Sequence, residues 1–147
     1  MDNIRGLIVC SLASLAAYFH PIQNVLIGIF WVFLLNFVFG LLAGLVRNKE
    51  SFEFKKAFMC IIEACVFFVI IASVFFVGDY IGNKEGALQC VTSITYVLIY
   101  FYTVNIFKNL KLLFPNNKPI AFIHYVISIE FVTKIPYLDK FLKLESK

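Results

Sequence analysis

A chain of 147 residues that is 61% hydrophobic and only 15% charged carries more apolar surface than one soluble core of that length can bury. Its mean hydropathy of +0.88 excludes an ordinary soluble domain and points to lipid. The formal net charge of +4 therefore reports loop orientation and contact with anionic headgroups, and no basic stretch interleaved with aromatics marks a nucleic-acid surface.

Taken in chain order, four apolar segments predict an all-α, polytopic membrane protein of about four transmembrane helices, the first one short. Segment 6–19 has 14 residues and ends at His20-Pro21. As a helix it covers about 21 Å of a hydrocarbon core about 30 Å thick, so it either thins the bilayer, enters partway or rests at the interface. Asp2 offsets Arg5, which makes the N-terminus a poor signal-peptide start, and the segment is expected to stay on the chain. Cys10, Ala13, Ser14 and Ala17 give it one small-residue face suited to close packing.

Segment 22–46 has 25 residues and no charge, which makes it the most secure span. Within it, Asn36, Gly40 and Gly44 recur every four residues and stack on one helical face. Helices in lipid associate through close backbone approach and interhelical hydrogen bonds, so the two glycines and the Asn form a candidate helix-packing or oligomerisation face. Whether it meets a helix of the same chain or of another copy is left open by spacing alone.

The loop 47–56 carries Arg47, Lys49, Lys55 and Lys56 as candidate headgroup contacts. The break at His20-Pro21 has no Lys or Arg, and the connection 79–86 has only Lys84. The positive-inside rule then puts the 47–56 loop and both termini in the cytoplasm. Segment 57–78 holds Glu63 about two turns in. It either lines an aqueous path, pairs across an oligomer, or reaches back to headgroup water or Lys56. Segment 87–107 places Ser93, Tyr96, Tyr100 and Thr103 on one face, as pore lining, interfacial anchors or hydrogen-bond glue between helices.

Residues 1–114 thus form a transmembrane helical domain. Residues 115–147 form a basic cytoplasmic tail, in which Pro119 opens an interfacial helix over about 120–131. Cys10, Cys60, Cys65 and Cys90 lack ligand or disulfide spacing and read as small reduced hydrophobes. His20 and His124 have no partner at metal-ligand spacing, and no catalytic or phosphate-binding motif occurs. No enzyme activity, metal or cofactor is expected.

In this order of parts the chain resembles the phage holin family that includes clostridial toxin-secretion holins. Asn36-Phe-Val-Phe-Gly40 stands where that family has Asp-x-x-x-Gly, and RNKESFEFKKAF resembles its Ser/Lys-rich loop. Asp79 matches the acidic end of the following span. Asn105-Ile-Phe-Lys-Asn109 resembles the Ser-Ile-x-Glu-Asn exit of the last one, with Pro115 and Pro119 after it. Two acidic positions differ, being Asn36 and Lys108 here. The resemblance implies a lysis protein that oligomerises in the bacterial cytoplasmic membrane. Its lesions would release a cell-wall hydrolase (an endolysin), with no direct contact required. The alternatives are a small ion or metabolite channel or transporter subunit, and a membrane scaffold recruiting a partner through its basic face.

Overall fold

The computed structural model describes residues 2–47 and 54–130 with Val132 and Ile135, and at Asp2, Asn3, Leu12, Arg47, 54–57 and Glu130 the backbone alone. Among the described residues every regular element is helical. Helix α1 is Asp2–Tyr18, α2 is Gln23–Leu42, α3 is Phe54–Tyr80, α4 is Lys84–Leu113 and α5 is Lys118–Tyr125. A 3₁₀ turn, His20–Ile22, joins α1 to α2, because Pro21 has no N–H to continue the α ladder. Short π-helical runs extend α2 over Ala43–Arg47 and α5 over Val126–Glu130.

Among the described residues three stretches are long and apolar enough to cross a bilayer: His20–Val46, Phe58–Tyr80 and Lys84–Leu113. The protein is an all-α polytopic membrane protein. Helix α1 has 17 residues, so the first predicted segment forms a helix but is shorter than these three. The observed helices run a few residues past the apolar segments at their polar ends, since helical hydrogen bonding continues into the headgroup region.

By internal contacts the chain divides into two compact units, Met1–Trp31 with Phe58–Leu98, and Val32–Ala57 with Ile99–Lys147. In the first unit Ile22, Ile71, Phe75 and Val91 are fully buried. Tyr18 sets its ring edge-on to Phe75 at 5.9 Å and near Phe76 at 6.1 Å, with its hydroxyl near the Asp79 carboxylate. The end of α1 therefore lies at the same end of this unit as the α3–α4 turn.

That turn is a Schellman motif. The Asn83 N–H donates to the Gly78 carbonyl at 2.8 Å, and the Gly82 N–H to the Asp79 carbonyl at 3.0 Å. Gly82 takes the left-handed conformation that this closure requires, φ +77°. The Asn83 side chain then accepts from the Gly86 N–H at 3.1 Å and caps α4. A Cβ on Gly78 would collide with Ala87, so glycine there lets α3 and α4 meet almost at the backbone.

Large apolar side chains stay uncovered along the spans, with Ile27, Trp31, Val69 and Val77 each more than half exposed. In water that surface would disfavour the fold; lipid tails cover it.

Candidate functional site

In the second unit, α2 and α4 run side by side in one register. Phe33 meets Tyr102 edge-on at 6.1 Å, Asn36 meets Asn105, and Gly40 meets Asn109, each pair 69 residues apart. A constant offset over steps of three and four residues is the signature of two parallel helices sharing one seam. At its centre the Asn105 Nδ2 donates to Asn36 Oδ1 at 2.7 Å. Asn36 is only 7% exposed, so its amide is removed from lipid and satisfied by the neighbouring helix. A Cβ built on Gly40 stands 3.4 Å from Asn109 Nδ2, at the limit of ordinary contact. A methyl group fits there, and a larger side chain meets the Asn109 amide first. Gly44 lies half-buried in the π-helical run that ends α2.

The remaining sequence-predicted residues are more dispersed. Glu63 is exposed on α3 in the first unit. Ser93 and Tyr96 also belong to that unit and are exposed, whereas Tyr100 and Thr103 belong to the second and are half-buried. The Ser93 hydroxyl donates to the Gln89 carbonyl at 2.9 Å. Ser14, Thr92 and Thr95 bond back to their own helices in the same way. In hydrocarbon such a bond satisfies the hydroxyl within one helix. Of the headgroup candidates, Lys49 lies outside the described residues, as do the side chains of Arg47, Lys55 and Lys56. Among the described residues no three His, Cys, Asp or Glu side chains gather to hold a metal ion.

The fourth-segment stripe leads to a second contact. The Tyr100 hydroxyl donates to the Ile127 carbonyl at 2.9 Å, which ties the C-terminal helix to α4. That helix starts where Asn117 accepts from the Ile120 N–H at 3.2 Å and Pro119 fills the first turn, where its missing N–H is harmless. His124, outside the three spans, is half-buried there. Burial, and then the ammonium groups of Lys111 and Lys108, hold its imidazole below the ordinary histidine range and favour the neutral form.

Asn105 and Asn109 are the partners that the sequence did not assign to the Asn36 face. Their signal was present, since an Asn-x-x-x-Asn inside an apolar helix matches the spacing of Asn36-x-x-x-Gly40. A family model described as the bacteriophage holin family matches residues 13–117, more than half of the chain, from late α1 to the turn after α4. No curated protein and no solved structure matches it.

Proposed function

The chain belongs to the bacteriophage holin family, and from that premise we propose that it is a non-enzymatic lysis protein of the host's cytoplasmic membrane. It accumulates there, self-associates, and opens lesions through which a cell-wall hydrolase escapes to its substrate. The observation that carries this reading is the family match over 13–117, which takes in all three spans. Residues 1–114 are the membrane domain in this proposal and 115–147 the tail.

The seam of Asn36, Gly40 and Gly44 supplies the helix-packing chemistry that assembly in lipid needs. Asn36 engages Asn105 within one chain, so in this proposal the seam sets the shape of the protomer that assembles. Glu63, Ser93 and Tyr96, exposed on their helices, are polar groups available to face water in a lesion; Tyr100 binds the C-terminal helix and Thr103 is half-buried. The basic loop with Arg47, Lys49, Lys55 and Lys56 lies on the cytoplasmic side, against anionic headgroups, as do both termini. The nearness of Tyr18 to Asp79 supports that topology, because it puts the α1–α2 and α3–α4 junctions, both poor in Lys and Arg, at one end.

Inducible expression in a bacterium, with a cytoplasmic cell-wall hydrolase co-expressed, tests the proposal. Abrupt loss of membrane potential followed by hydrolase release is expected. Full accumulation in the membrane with potential intact and no release would overturn it.

A further inference from the structure

The C-terminal helix meets α4 at a depth that a helix lying on the membrane surface does not reach. Tyr100 precedes Lys108, the first lysine at the exit of α4, by eight residues, which is about 12 Å further into the span. The shared register with α2 gives depth independently. Tyr102 packs on Phe33, and Phe33 lies about 20 Å before Val46, where the charge-free run of α2 ends. Because Tyr100 bonds directly to the Ile127 carbonyl, Ile127 lies within one tyrosine side chain of that level. Residues 118–130 form about 20 Å of helix, enough to descend that far and too little to cross a core about 30 Å thick.

Two further observations agree. A helix lying in the interface needs a charged outer face. Here Phe122, Tyr125 and Ile129, spaced three and four residues apart, are 67%, 46% and 49% exposed. Between Lys118 and Glu130 the sequence has no Lys, Arg, Asp or Glu. The second observation concerns the backbone. A π-helical run such as Val126–Glu130 departs from the α ladder, and in hydrocarbon side-chain bonds to its carbonyls help to hold it. Tyr100 provides one to Ile127, and the Ser128 hydroxyl bonds the His124 carbonyl.

We infer that residues 118–130 form a re-entrant helix. It enters the bilayer beside α4 from the side where α4 leaves, turns Phe122, Tyr125 and Ile129 toward lipid acyl chains, and does not cross. A re-entrant position replaces, in this inference, the interfacial one expected of the helix over about 120–131.

The test uses the full chain in native membrane vesicles, with Cys10, Cys60, Cys65 and Cys90 replaced by alanine and single cysteines at Asn116, Phe122, Ile129 or Lys147. A membrane-impermeant maleimide should label Asn116→Cys promptly. Phe122→Cys should label more slowly, and Ile129→Cys at least about tenfold more slowly, from either face of the membrane. Since the protein leaves Ile129 half exposed, lipid is what shields it. Equal rates at the three positions would place the helix in water or at the surface and overturn the inference. Lys147→Cys should label from the same face as Asn116→Cys; labelling from the opposite face would make the segment a crossing helix and overturn it as well. None of these outcomes depends on lysis activity.

Discussion

Gly82 and Asn83 close the α3–α4 turn by different means, and their substitutions should separate accordingly. Gly82 is used for its left-handed backbone, so Gly82→Ala is expected to destabilise the protein by about 1 kcal/mol while Gly82→Asn costs less. Asn83 is used for its side-chain oxygen, so Asn83→Ala should cost about 1 kcal/mol and Asn83→Asp little. Unfolding in mixed micelles by a denaturing detergent measures both. At His124 the docked helix favours the neutral imidazole, so the undocked state binds more protons at mildly acid pH. The contribution of His124 to docking of α5 on α4 is then fully present above the ordinary histidine value of 6.5 and is lost as pH falls through the lowered one. Spin labels at Phe122 and Leu112 should show a broadened distance distribution between about pH 7.5 and about pH 5. His124→Gln should abolish the change.

The α2–α4 seam shows what one helix's sequence can and cannot reveal. Spacing alone put Asn36, Gly40 and Gly44 on one face, because that depends only on the period of a single helix. The partner depends on register between segments 69 residues apart, which no local pattern encodes. The C-terminal helix was legible in the same partial way. Pro119 and the length of the segment marked it as a short helix, but its depth rests on the long-range bond from Tyr100 to Ile127. A double-mutant cycle with Asn36→Leu and Asn105→Leu should give a coupling of about 0.6 to about 2 kcal/mol, the range for hydrogen bonds between helices in lipid. The single variants should each lose at least as much as the pair together, because either one leaves the other amide unmatched in hydrocarbon. A cycle with no coupling would mean that the two amides are held independently.

At the scale of the whole molecule the sequence was most informative, since the absence of charge over long runs has one physical solution in a chain of this size. The helical architecture and the family both followed from it and from the order of short motifs. Less legible was the strength with which α3 and α4 are joined. Only Ile81, Gly82 and Asn83 separate them, the turn is closed by its own backbone, and Gly78 meets Ala87 directly. Lys84 and Asp79 face each other across this tip at 4.0 Å, a contact that adds little to the stability of the finished protein at so exposed a place. Its value lies earlier, in biogenesis. In the proposed topology, with both termini cytoplasmic, two helices tied by three residues would enter the bilayer as one hairpin whose tip passes through hydrocarbon once on the way. A lysine and an aspartate that make that passage as a neutral pair present the insertion machinery with a smaller barrier than either charge alone.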